Sequence, residues 1–179
     1  TSLYGGNSTA PSFVASNKFE HRFAKPFIGG EVKIGLDIHG SHRQSNTNEI
    51  GRDLSRVNGI LQWGDLYRFS NGVQIGFKAQ AFTDLFVIGQ DTNYSTTQSA
   101  FSGAGAISLA WPLLAKNKLN QSIIIEPVMQ FEYASQRDFL LPNEESLYAE
   151  FDEANLFELS RFPAPDRREV GFRAATGLK

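Results

Sequence analysis

Cysteine is missing from the 179 residues, which rules out a disulfide framework, a thiolate metal site and a cysteine nucleophile within this chain. There is one methionine. No run of about 18 consecutive apolar residues occurs, so no stretch reads as a membrane-spanning helix. Neither sign of charge dominates: 17 Lys and Arg against 19 Asp and Glu leave a formal −2, with no electrostatic footprint for nucleic acid. The chain opens at Thr1 with neither a basic leader nor an apolar core after it, and any signal peptide is expected to lie outside it.

What is present points to sheets. Fifteen Phe, five Tyr, two Trp and 16 Gly favour strands and turns over helices. With 41% hydrophobic and 20% charged residues, composition alone would pass for an ordinary soluble protein. Barrel strands, however, alternate lipid-facing and lumen-facing residues and read as only half hydrophobic, so the period of the pattern is the test.

That period is two. From Glu31 to His39 the apolar residues Val32, Ile34, Leu36 and Ile38 alternate with Glu31, Lys33, Asp37 and His39. From Val73 to Val87 the odd positions are mostly apolar, while Gln74, Lys78, Gln80 and Asp84 fall on even ones. Weaker versions predict strands over Phe13–Phe23, Val57–Phe69, Phe101–Trp111, Ile123–Tyr133 and Val170–Leu178, about seven in all. In Phe101–Trp111 one face carries Phe101, Gly103, Gly105, Ile107, Leu109 and Trp111, and the other only Ser and Ala.

The connections alternate in length, as an up-and-down meander requires. Ala24–Gly30, Ser70–Gly72 and Pro112–Gln121 are the short ones; Ser41–Asp53, Gly89–Ala100 and Arg137–Arg167 are long and polar. Aromatics gather at one edge (Phe23, Phe27, Trp63, Tyr67, Phe69, Trp111) and at the other (Phe13, Phe101, Tyr133), as two interfacial girdles would. These patterns alone leave a transmembrane barrel and a β-sandwich both open. Single-chain bacterial barrels have an even strand number from 8 upward, so about seven strands would form part of one, with unpaired terminal edges.

Sites for chemistry are sparse. His39 and His42 would sit on opposite faces of a strand with no third ligand in view, so no metal is expected. No Ser-His-Asp spacing emerges for His21, and Gly103-Ala104-Gly105 lacks the third glycine of a dinucleotide loop. No catalytic residue and no cofactor is expected. Pro127 interrupts an alternating strand and removes a ladder donor there.

The densest stretch runs from Pro142 to Gly177 and holds Asp152, Asn155, Leu156, Phe157, then Arg161-Phe162, then Asp166-Arg167. That series, with Pro142-Asn143-Glu144, Glu126-Pro127 and Trp111-Pro112-Leu113 upstream, resembles the LPS-assembly outer-membrane family LptD (organic solvent tolerance protein). Ala164-Pro165 stand where the family often has a glycine and a bulky residue. From the residues alone, Asp152, Asn155 and Arg161 would cap a short helical turn; alternatively the long Arg137–Arg167 segment would fold into or over the lumen of a barrel and pair Glu144, Glu145, Asp152 and Glu153 with Arg161, Arg167, Arg168 and Arg173.

The resemblance implies an all-β, antiparallel up-and-down transmembrane β-barrel, residues 1–179 being part of the C-terminal barrel domain without the family's N-terminal jellyroll. It implies a translocon, not an enzyme, in the outer membrane of a Gram-negative bacterium. The implied partners are lipopolysaccharide, outer-membrane lipid, an LptE-like lipoprotein plug, and the periplasmic LPS bridge through the domain absent here. The wall facing the lumen would carry Glu31, Lys33, Asp37, Lys78, Asp84, Glu126, Gln130, Glu132 and Arg173, whose mixed signs suit a protein plug better than a purely anionic ligand. The alternatives are a general porin or receptor-type barrel, and a soluble β-sandwich binding module.

Overall fold

The computed structural model describes residues 10–24, 26–116, 121–136, 141, 149, 155–162 and 164–179. The strands are β1 (Phe13–Ala24), β2 (Glu31–His42), β3 (Asp53–Arg68), β4 (Gln74–Gly89), β5 (Thr97–Ala110), β6 (Leu113–Lys116), β7 (Ser122–Ile125), β8 (Pro127–Ala134) and β9 (Gly171–Leu178). Seven form one antiparallel sheet in the order β1-β2-β3-β4-β5-β8-β9, and β6 pairs with β7 in a separate hairpin. Among the described residues the sheet is open: β1 pairs only with β2, and β9 only with β8.

Three expectations need correcting. The strand expected over Ile123–Tyr133 is two, β7 and β8, and the expected connection Pro112–Gln121 contains β6. The pairs Ala110↔Val128 and Leu113↔Ile125 keep one register, which sets Trp111 opposite Pro127 and Pro112 opposite Glu126. Two prolines without N–H thus face each other's strand at one level, and the ladder breaks there in both. Only the Trp111 amide bridges the gap, donating to the Pro127 carbonyl at 3.1 Å.

Two of the long connections are also shorter than expected, since β2 reaches His42, β3 starts at Asp53 and β5 starts at Thr97, whereas the third is longer, because β8 ends at Ala134 and β9 starts at Gly171. Gln98 fell in the expected loop and Arg56 just ahead of the expected strand, yet both continue the alternation on the covered face, which is itself polar.

The two faces are inverted relative to a soluble sheet. Ile34, Leu36, Ile38, Val57, Leu61, Leu85, Ile107, Met129 and Phe131 share the face that is left exposed, with Phe101 75% and Phe172 70% accessible. On the opposite face Arg56, Asn58, Asp84, Gln130 and Glu132 are all buried. Cross-strand pairs such as Ile34↔Leu61, Phe77↔Ile107 and Ile107↔Phe131 knit the apolar face, and the Phe131 and Phe172 rings stack at 6.2 Å. A small apolar cluster of Leu54, Phe86 and Ile88, joined by Tyr94 and Leu141, closes the covered face near the long loops.

Both tryptophans fasten short turns. Trp63 Nε1 donates to the Gly29 carbonyl at 3.0 Å and Trp111 Nε1 to the Asn71 carbonyl at 3.3 Å, so β3 and the residue just past β5 each hold the neighbouring turn. Gly30 follows Gly29 in that first turn with φ 70°, and a Cβ there would collide with the Gly64 carbonyl, whereas Gly171 has φ 87° with open space around it. Gly171→Ala should therefore cost only the left-handed backbone penalty of about 1–2 kcal/mol. Gly30→Ala should cost more, and comparing the thermal midpoints of the two variants of the intact protein checks the order.

Candidate functional site

The covered face holds charge that has to be compensated. Alternation sets Lys33 and Asp37 of β2, Arg56 and Asn58 of β3, Lys78, Gln80 and Asp84 of β4, Gln130 and Glu132 of β8, and Arg173 of β9 on this side. The charge is met by residues 155–169, which cross the face from β8 and β9 to β4.

At one end the Asn155 carbonyl accepts from the Glu158 amide at 3.0 Å, closing a turn that aims the Phe157 carbonyl at the sheet. Lys78 Nζ donates to that carbonyl at 3.3 Å and Gln130 Nε2 at 3.1 Å. The Phe157 ring lies against Gly177, where a Cβ would come within 3.2 Å of it, and the Lys179 ammonium stands 5.8 Å from its centre. Leu159 is buried beneath.

In the middle, Glu169 joins two arginines. Arg161 Nε lies 2.6 Å and Arg173 Nη1 3.3 Å from Glu169 Oε1, while Arg173 Nε lies 2.5 Å from Glu132 Oε1. Arg173 also donates to the Glu158 carbonyl.

At the far end Arg168 grips Asp84 with both arms, Nη1 to Oδ2 at 2.5 Å and Nη2 to Oδ1 at 2.8 Å. The Asn58 amide donates to Asp84 Oδ1 at 2.8 Å, and the Arg168 guanidinium sits 4.0 Å over the Phe82 ring. Arg167 turns the other way and lies 4.6 Å over Phe162. A fork-to-fork pair of this kind fixes direction as well as distance, which lysine would not do.

Between this segment and β1–β4 lies a cavity of about 250 Å³ whose walls include Lys18, Lys33, Asp37, Phe162, Arg167 and Arg168. Lys33 there is engaged by Glu20 at 2.9 Å. Its lining mixes both signs.

Of the residues singled out from sequence, Pro142, Asn143, Glu144 and Asp152 lie outside the described residues, as do Glu145 and Glu153. Asn155, Leu156, Phe157, Arg161, Phe162, Asp166 and Arg167 all lie on the crossing segment, and Asp166 is buried. Ala164-Pro165 form a turn before it, with the Arg167 amide 3.5 Å from the Ala164 carbonyl. Lys33, Asp37, Lys78, Asp84, Gln130, Glu132 and Arg173 share the covered face. Glu31, at the exposed start of β2, lies 3.7 Å from Arg22. Glu126 occupies the break between β7 and β8, 3.8 Å from Lys179.

His39 and His42 are not brought together: His39 is opposite Arg56 on the covered face, and His42 points Nδ1 at Asp53 Oδ2, 2.9 Å away. Sequence reasoning missed Asn58, Arg56 and Glu169. Arg56 precedes the start expected for that strand, Val57, whereas Asn58 lies within the expected strand and was not singled out. Glu169 stands four residues before Arg173 and carried no other signal.

Comparison with known proteins adds one match. The family described as LptD, LPS transport system D, matches residues 21–179. No curated protein matches the chain.

Removing one partner of a buried, hydrogen-bonded ion pair leaves the other uncompensated, at a cost of about 3–5 kcal/mol. Asp84→Ala should lower the unfolding midpoint accordingly and open the crossing segment to trypsin at Arg161 and Arg167. Asp84→Leu combined with Arg168→Met should recover much of that loss, and unchanged trypsin resistance in Asp84→Ala would show that the pair does not hold the segment.

Proposed function

Because the chain belongs to the LptD family, whose members act in LPS transport and assembly at the Gram-negative outer membrane, we propose that its sheet is one arc of a transmembrane β-barrel. In this reading the exposed apolar face meets lipid and the covered polar face lines the lumen of a translocon that delivers lipopolysaccharide to the cell surface.

One observation carries the reading: the apolar face of the sheet is the one left open while the charged face is the one covered. A soluble sandwich would bury the row from Ile34 to Phe172 against a second layer. A barrel wall needs the opposite arrangement. Trp63, Tyr67, Phe69 and Trp111 at the short-turn end supply the interfacial belt.

The clamp of residues 155–169 gives the lumen a fixed lining in place of a free aqueous channel. Its ion pairs are satisfied within the chain, so it orders the wall more than it binds cargo. This favours a translocon over a general porin, which needs an open passage for solutes.

Towards the short-turn end the same wall is less occupied. Gln62, Gly64, Gly76 and Ser108 line a groove of about 620 Å³, with Lys33 and Lys78 at its side. Small side chains and mixed charge suit a folded protein, and an LptE-like lipoprotein plug is the occupant assigned to this groove.

Depletion of the full-length protein in its native cell should remove lipopolysaccharide from the surface while a control outer-membrane protein stays at its normal level. Normal surface lipopolysaccharide with altered solute permeability would discard the reading in favour of a porin. A photo-crosslinking residue in place of Gln62 should capture the co-expressed lipoprotein partner, and a correctly assembled barrel that gives no such adduct would remove the plug from this groove.

A further inference from the structure

The β6–β7 hairpin has no place in the wall just described. Its four residue pairs, Leu113↔Ile125 to Lys116↔Ser122, hydrogen-bond only to each other, and every residue of both strands is exposed. The hairpin leaves the sheet beyond the turn held by Trp111, past the last rung of β9, where Glu126 and Lys179 exchange both backbone bonds at 2.9 and 3.0 Å.

Its side chains break the rule of the rest of the sheet. Register through the proline break sets Leu113, Ala115, Ile123 and Ile125 on the outward face, with Leu109 and Met129. Leu114 and Ile124 pair on the other face, where β5 carries only Ser and Ala from Ala100 to Ala110, and are 61% and 64% exposed. A two-stranded ribbon with both faces apolar is not stable in water. Positions 111–125 contain no acidic residue, and Lys116 ends β6 with Lys118 two residues further on.

We infer that this hairpin is a membrane-interface anchor that inserts its aliphatic side chains at the headgroup boundary and sets Lys116 against anionic phospholipid. The inference rests on the proposed lipid-facing role of the outward face, with which the hairpin is continuous. A water-rich interface also satisfies the unpaired edges of β6 and β7, which the hydrocarbon core would not. Each lysine near an anionic surface strengthens partitioning by about fivefold. The two prolines, on adjacent rungs of opposite strands, interrupt the ladder between β5–β8 and the hairpin and leave the hairpin free to follow the bilayer surface.

The test places single cysteines carrying an environment-sensitive fluorophore at Leu114, at Ile124 and, as a reference within the wall, at Ile107. The full-length protein is reconstituted in phosphatidylcholine vesicles with or without phosphatidylglycerol. The Leu114 and Ile124 probes should shift to the blue and be quenched by brominated acyl chains, and Lys116→Glu should weaken that quenching when phosphatidylglycerol is present. Two probe sites guard against one variant failing to assemble. A water-like Ile124 probe, or one shielded from both water and bromine, beside a quenched Ile107 probe would overturn the anchor alone. An unquenched Ile107 probe would overturn the lipid-facing reading with it.

Discussion

A carboxylate with no water to solvate it sets the terms for the covered side of this sheet. The Asp84 side chain is fully buried in the middle of β4, and its charge is tolerable only because Arg168 meets both oxygens and Asn58 adds a third hydrogen bond. An isolated buried ion costs several kcal/mol, so Asp84 and the crossing segment need each other. Once Arg168 is fixed, Glu169 is delivered to Arg161 and Arg173, and Arg173 to Glu132. Such a chain of pairs adds little net stability over an apolar core, but it specifies one position for the segment.

The same constraint explains the other face. A sheet that spends its burial on charged residues has its hydrophobic residues left over, and they form a continuous exposed surface from β2 to β9. In water so large an apolar patch would drive aggregation. Against a bilayer the same surface would face lipid, and the covered charge would line the lumen of the proposed barrel.

Much of this was legible in the sequence because alternation survives on both faces. Val32, Ile34, Leu36 and Ile38 against Lys33 and Asp37 fixed the sides of β2, and the seven-strand meander followed from the turns. The break at Pro112 and Pro127 was not legible, because each proline read singly suggests a turn or a bulge and only register shows that they occupy adjacent rungs on opposite strands. The ends of β2, β3 and β5 were missed where both the strand and its flanking loop are polar. Asn155, Arg161 and Asp166 drew notice as a motif, yet the strand partners of the clamp come from β4, β8 and β9, with Asn58 of β3 behind Asp84, and for β3, β4 and β8 distance in sequence hides them.

The central claim is that the sheet stands between lipid and a lined lumen, and β4 is the strand that tests it most directly. Cysteines placed one at a time from Ile75 to Ile88 in the full-length protein, in outer-membrane vesicles, would be read for quenching by brominated acyl chains. The account predicts a period of two, with Ile75, Phe77, Ala79, Ala81, Thr83, Leu85 and Val87 in contact with lipid and the even positions shielded. Quenching without that alternation, or odd positions that react freely with a water-soluble maleimide, would contradict it.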